Sequence, residues 1–551
     1  MNNKNLSIKE TLNLAFKNHK ENNFAVAENL YSKVLKIDPN NFDAIFLLGS
    51  LWFQMKNYSD AIRMLTNAIN LKPKNINSYQ NLGALLLEIG ESQKAAQVLA
   101  KASMIQPDNS GVLYNLGNAY KNLGQLEKAV SCYKKAIKIE PRNTKAQNNL
   151  GNVYKSLREN KKAIEVFKKT LDIEPNHINA NHNLANTYKE TGDFSKAKDF
   201  YKKSFEINSN LESLHALSEL DEKVLNISLK EKIDKIISNK GDNYANLAYG
   251  NFLLSKYELK NNNLEKEFNY LIEAHSLYFL SKKDFYQKGI NYWLNQLPKN
   301  QELTNFNFIN NDNNNLKPIF IIGVPRCGST LIEKIIASGS QNIPMGEEIG
   351  VLNFVLGKRI IKKQNIIEDI ATINKEILDL YKERGLIDEG SNYTFTDKTL
   401  DNFFFIGLIK NLFPKAKIIN CRRNPISSIL SIMKNNLGGV SWAHKLENIF
   451  QFFDVYYKKI ETFKSLYPNF IYDLELENFT KNPETESKKL MKYCELTWDK
   501  KCLEFYKRKD LVSRTASNVQ IRKPIFDKSS SKVDSYKAYL EKYGKKYSWF
   551  N

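Results

Sequence analysis

Two structural classes share this chain: an all-α superhelical array in the first part, then an α/β domain with a parallel sheet flanked by helices. Three observations predict this. Alanine recurs every 34 residues, at Ala27, Ala61, Ala95, Ala129, Ala163 and Ala197. Two short β-branched runs, at 317–323 and 415–421, are each followed by a polar loop and an apolar, helix-like stretch. And 551 residues is too long for one core.

The repeat has a packing reason at each position. Proline follows each alanine by twelve residues, at Pro39, Pro73, Pro107, Pro141 and Pro175, with Ser209 closing the series. It lacks an N–H and disfavours helix before it, so it ends the second helix of a hairpin. Gly49, Gly83, Gly117 and Gly151, replaced by Ala15 and Ala185 in the outer units, allow close helix contact. Tyr31, Leu65, Leu99, Tyr133, Phe167 and Tyr201 fill the groove between units. This is the 34-residue tetratricopeptide pattern, with six units over 8–209.

The sixth position of five units is asparagine: Asn13, Asn81, Asn115, Asn149 and Asn183, with Leu47 interrupting. On the first helix this position is expected on the concave side. An amide both donates and accepts, so a row of amides can hold an extended peptide backbone of any sequence. The array resembles that of O-linked N-acetylglucosamine transferase, where such a ladder holds polypeptide substrate. Asn81, Asn115, Asn149 and Asn183 are therefore expected to bind a polypeptide. Residues 210–310 keep a worn helical pattern, with a hairpin around 244–280, and read as a helical spacer capping the array. The asparagine run at 310–315 reads as a linker.

The second domain is expected over 317–551. Residues 317–323 form an apolar, β-branched strand. Val-Pro-Arg-Cys-Gly-Ser-Thr follows at 324–330, then an amphipathic helix at 331–337. Strand, glycine-bearing loop and helix aim backbone N–H groups and a positive helix end at phosphate. Gly323 and Gly328 have the spacing of the nucleoside-triphosphatase loop, but Ser329 stands where that loop needs lysine. Phosphoryl transfer from Mg–ATP is disfavoured, and a sugar or nucleotide kinase with it. A second strand at 415–421 leads into Arg422-Arg423-Asn424-Pro425, with Ser431 eight residues after Arg423.

The first loop resembles the 5′-phosphosulfate loop of sulfotransferases, with Cys327 and Ser329 in place of serine and threonine. The Arg423–Ser431 spacing resembles that family's 3′-phosphate site. The segments Met345-Gly-Glu-Glu348, Thr396-Asp-Lys-Thr399 and 512–524 look like conserved segments of tyrosylprotein sulfotransferases. Over about 318–525 the chain resembles that family, and as a whole it resembles bacterial tetratricopeptide-repeat sulfotransferases. The resemblance implies 3′-phosphoadenosine-5′-phosphosulfate (PAPS) as sulfuryl donor and no metal. It implies donor contacts from Arg326, Cys327, Gly328, Ser329, Thr330, Arg423, Ser431, Ser517 and Lys523. Glu348 would take the acceptor's proton, with Glu347 its neighbour and rival. Arg326, Lys398 and Ser517 would stabilise the charge that develops. Leu476 stands where the animal enzymes place an adenosine-contacting tyrosine.

Composition adds bounds. The net charge of +21 favours anionic partners, an acidic acceptor segment among them. Nucleic-acid binding has only this charge behind it and is not expected. Five scattered cysteines form no zinc-like spacing and suggest a reducing compartment. No signal peptide or bilayer-length apolar run is seen, so a cytoplasmic chain without membrane anchor is expected. The leading acceptor is tyrosine in a polypeptide held by the repeats. Carbohydrate or a small metabolite is the alternative, and a scaffold with an inactive nucleotide-binding domain is the alternative of another class.

Overall fold

A computed structural model describes residues 6–239, 241, 243–300, 303, 315–339, 341–388, 393–508, 522, 524–525 and 533–550. The chain divides into two compact units, Met1–Tyr188 and Lys189–Asn551.

The first unit is a run of helical hairpins. Its helices include Phe42–Gln54 with Tyr58–Leu71, Ile76–Glu88 with Ser92–Ile105, and Ser110–Asn122 with Leu126–Ile139. Each second helix stops one or two residues before its proline, as the missing N–H requires. Ala27, Ala61, Ala95, Ala129 and Ala163 are all fully buried, as are Tyr31, Leu65, Leu99, Tyr133 and Phe167. A Cβ on Gly151 would lie 2.4 Å from the Phe167 ring, and one on Gly83 2.5 Å from Leu99. The absent side chain is what lets the two helices meet. A second asparagine series also recurs every 34 residues. Asn41, Asn75, Asn109 and Asn143 cap the first helices, each accepting a backbone N–H from three residues on.

The compact division falls within the helix Ile178–Thr191. The reason is packing: Phe194–Asn208 lies against Leu211–Leu220, so the last repeat helix joins the second unit. Tyr244–Lys260 and Leu264–Ser281 form the hairpin expected near 244–280.

The remainder of the second unit is built on a four-stranded, all-parallel sheet in the order β2-β1-β3-β4. The strands are β1 (Ile319–Gly323), β2 (Thr396–Asp397), β3 (Lys417–Arg422) and β4 (Ile471–Glu475). β1 is buried throughout, with Ile321 beside Ile419 of β3. The segment expected merely to precede the second strand, 396–399, itself contributes β2. From β1 the chain crosses towards β2, and from β3 towards β4, in opposite directions. That reversal opens a crevice at the carboxyl ends of β1 and β3. Among the described residues, no helix is long and apolar enough to cross a membrane.

Candidate active site

Two loops meet in that crevice. The first runs from Gly323 to the helix Ser329–Ala337. Gly328 sits at φ +93°, and a Cβ there would lie 2.6 Å from a methyl of Leu476. Both the backbone and the neighbour therefore demand glycine. Arg326 also has a left-handed backbone, at φ 72°. Its Nε donates to Ser431 Oγ at 2.9 Å.

The second loop follows β3. Arg422 turns to Asp473 of β4, at 3.4 Å. Arg423 turns into the crevice, where its Nη1 donates to the Arg326 carbonyl at 3.1 Å. Asn424 caps the helix Pro425–Met433, and Ser431 lies two turns along it. Burial and the nearby Arg423 pull the Arg326 guanidinium below its ordinary range, and burial does the same to Arg423. Two partly desolvated guanidiniums beside a helix amino terminus make a strong anion site.

The cleft holds about 600 Å³. Arg326, Gly328, Ser329, Thr330, Arg423 and Ser431 line one region of it, with Leu476 over Gly328. Glu348, Asp401, Trp293, Trp442 and Phe452 also line it, and the Trp442 and Phe452 rings stack at 3.8 Å.

Lys398 is fully buried, and its Nζ donates to Glu348 Oε1 at 2.8 Å. Burial opposes its charge, but Glu348, Glu333 and Glu347 outweigh that and raise its pKa. Glu347 is buried and lies 3.8 Å from Lys334, and does not line the cleft. Geometry thus separates the two adjacent glutamates. Beneath them, buried Glu333 accepts from the Thr396 hydroxyl at 2.8 Å and the Glu347 N–H at 2.9 Å, and burial raises its pKa. Asp397 accepts from the Tyr381 hydroxyl at 2.7 Å. Asp401 is pushed up to about 7 by burial, helped by Asp397 and Glu348.

Cys327 lies apart from the other loop residues. Its side chain is buried and does not line the cleft, and its backbone N–H donates to the Val324 carbonyl at 3.3 Å. A hydrogen bond from Cys421 lowers its thiol pKa. Ser517 and Lys523 lie outside the described residues. In the first unit, Asn81, Asn115, Asn149 and Asn183 are half-buried. The Nδ2 of Asn81 donates to Ser50, that of Asn149 to Asn118 and that of Asn183 to Asn148, at 2.8, 2.8 and 3.0 Å. These amides bridge adjacent repeats.

Sequence reasoning missed Asp401, Glu333 and the Trp442–Phe452 stack. One signal was available for Asp401: it is an acid at the head of the apolar stretch 403–409, three residues after Lys398.

Residues 318–500 match the family model described as the sulfotransferase family. Tetratricopeptide-repeat models match 19–86, 76–109, 101–131, 117–158 and 142–210. The chain therefore carries tetratricopeptide repeats followed by a sulfotransferase-family domain. An uncharacterized protein of Aquifex aeolicus (strain VF5) is 32% identical over 238 residues, which is 41% of this chain and 31% of that protein. The match thus spans about a third of that relative's length. Among solved structures, MamA is 26% identical over 29% of this chain and 95% of its own, with a TM-score of 0.28. Pseudomonas aeruginosa PilF is 19% identical over 38% of this chain and 97% of its own, with a TM-score of 0.35.

Proposed function

We propose that the second unit transfers a sulfuryl group from PAPS to an acceptor hydroxyl, with tyrosine in a polypeptide as the leading acceptor. The observation that carries this reading is the meeting of Arg326, Arg423 and Ser431 in one cleft. They come from two loops that follow adjacent parallel strands. Two guanidiniums and a hydroxyl suit a nucleotide with phosphate at both ends, where a single phosphate loop would not. The apolar face of Leu476, resting on Gly328, can cover a base in place of an aromatic ring.

When bound, PAPS supplies an activated sulfuryl group on a 5′-phosphate leaving group. In this reading Arg326 and the helix beginning at Ser329 would meet the charge on that phosphate. Arg423 and Ser431 would hold the second phosphate. Lys398 is a buried cation fixed in advance by its carboxylates, the kind of preorganised group that best stabilises developing charge. Glu348 and Asp401 are the carboxylates of the cleft wall, and the family resemblance points to Glu348 for the acceptor's proton. Trp293, Trp442 and Phe452 give the cleft an apolar wall against which a tyrosine ring would pack. In the repeats, a polypeptide would run along the asparagine row, using chiefly the amide oxygens, since Nδ2 of Asn81, Asn149 and Asn183 already binds the preceding repeat.

The test is calorimetric titration with 3′,5′-adenosine bisphosphate and, separately, 5′-AMP, in buffer without magnesium. We expect micromolar binding of the bisphosphate, little of 5′-AMP, and loss of binding in Arg423→Ala. Equal binding of both nucleotides, or of neither, would refute the donor assignment. Labelled PAPS offered to cell extract then reads whether protein tyrosine or glycan takes the label.

A further inference from the structure

The helical segment ahead of the sheet carries one ring into the cleft. Tyr292–Gln296 is a π-helical turn inside a stretch that is otherwise α-helical from Lys283 to Lys299. The Leu297 N–H donates to the Tyr292 carbonyl, five residues earlier. Pro298 follows directly, with no N–H to close an α-turn onto Leu294. In an α-helix residues five apart point about 140° away from each other. Here Tyr292 and Leu297 are both buried, and Trp293 is left half-buried on the cleft wall. Turns of this kind are rare and recur at functional sites.

Two contacts fix where Trp293 stands. The Tyr292 hydroxyl donates to Asn353, itself on the cleft wall, in the helix Val351–Ile361 that begins three residues after Glu348. The Trp293 ring meets Phe404 at 6.1 Å, in the short helix Leu400–Phe405 that begins two residues after Lys398. Phe404 meets Phe452 at 6.3 Å and Phe452 stacks on Trp442 at 3.8 Å, so the rings form one continuous wall. Within it Trp442 and Phe452 are only 3% and 2% exposed, each covering a face of the other. Trp293 meets Tyr292 edge-on and Phe404 at a tilt, with no stacked partner among the described residues.

We propose that Trp293 is the residue that selects the acceptor: its ring receives the ring of a phenol and sets the preference for an aromatic over an aliphatic hydroxyl. This rests on the sulfuryl-transfer reading above and deepens it. An indole offers a broad π face that a phenol ring can meet offset or edge-on, a gain beyond the buried area, whereas an aliphatic group of equal size brings the area alone. Trp293 lies ahead of the sulfotransferase-family span 318–500, so the segment expected only to space and cap the repeats completes the acceptor side of the cleft.

The experiment uses the full chain with sulfur-labelled PAPS and tyrosinamide as acceptor. Trp293→Ala is expected to raise the KM for tyrosinamide about 10-fold, the scale of one lost aromatic pair with its buried area, with kcat changed by less than about threefold. Trp293→Phe is expected to recover most of the affinity. Trp293→Leu, which keeps apolar bulk without a ring, is expected to behave as Trp293→Ala does. Phenylalaninamide and cyclohexylalaninamide, which lack the acceptor hydroxyl, serve as competitive inhibitors. The unaltered chain is expected to prefer the aromatic one, and Trp293→Leu to lose that preference. Titration with 3′,5′-adenosine bisphosphate accompanies each variant and is expected to be unchanged. A native KM in Trp293→Ala and Trp293→Leu, or an aromatic preference kept in Trp293→Leu, would overturn the proposal while leaving the donor reading intact. So would a chain that binds the bisphosphate yet transfers nothing to tyrosinamide. Loss of bisphosphate binding in step with the acceptor's would mark Trp293 as structural and overturn the proposal too. Failure of the unaltered chain to bind the bisphosphate would overturn the donor reading itself.

Discussion

Gly328→Ala tests whether the loop between β1 and the helix Ser329–Ala337 depends on the geometry described. Two separate costs follow from the structure. The backbone is left-handed at φ +93°, which costs a residue bearing Cβ roughly 1–2 kcal/mol. The new methyl would also lie 2.6 and 2.9 Å from the two methyls of Leu476. Overpacking of this kind typically costs about 1–3 kcal/mol. The sum is about 2–5 kcal/mol. At about 2–4 °C per kcal/mol for a domain of 150–250 residues, the transition of the sheet-bearing part falls by roughly 4–20 °C. Leu476→Ala removes the second cost and leaves the first. The double variant is therefore less damaged than the two single variants together imply, by about 1–3 kcal/mol. Scanning calorimetry of the full chain reads all four proteins. A native melting temperature in Gly328→Ala would refute the argument, and so would strict additivity of the two substitutions.

Two further predictions concern stability. Gly151→Ala gains about 1 kcal/mol of helix propensity but drives Cβ to 2.4 Å from the buried Phe167 ring, so a net loss of about 1–2 kcal/mol is expected. At Gly49 the nearest atom is 3.0 Å away, so Gly49→Ala is expected to change stability by less than about 0.5 kcal/mol; urea unfolding followed by circular dichroism checks the order, and the reverse order would sink the packing account. Burial pushes His215, His275 and His444 down to about 3, 4 and 3. A depressed histidine stabilises the fold above its unfolded pKa of about 6.5, and that contribution is lost as pH falls towards the folded value. Melting temperature is expected to drop steadily from pH 6.5 to 4, and less steeply in His444→Phe; equal slopes in the two proteins would contradict the burial argument.

The periodic and local features were legible in the sequence, and the features made by distant segments were not. Ala95, Leu99 and Gly83 announce their roles because one repeat is read against the next. β1 and its loop announce themselves because a β-branched run, glycines and a helix lie within some twenty residues. β2 has only two residues, too few to show a strand period, and it exists because 396–397 align with Ile319 and Phe320. β4 escaped notice for a similar reason: Ile471–Glu475 is half-exposed at the sheet edge and carries no unbroken apolar run. The donor contact implied for Cys327 could not foresee that its own loop occupies its N–H with the Val324 carbonyl. The pairing of His275 with His444, 3.1 Å apart across 169 positions, has no local signal at all. Asp401 was visible as an acid before an apolar stretch, but its place in the cleft wall comes only with the assembled fold.

The amide bridges between repeats have a practical consequence. Asparagine neither titrates nor gathers counter-ions, so contacts made along Asn81, Asn149 and Asn183 change little with pH or ionic strength. Charge contacts offered to an anion by Arg326 and Arg423 respond to salt, though their partial burial moderates the screening. The two units therefore answer to different solution variables. If the proposed sites hold an anion and a polypeptide, a salt gradient at fixed pH would loosen the anion before the polypeptide, so each kind of occupancy could be measured in one intact molecule without cutting the chain.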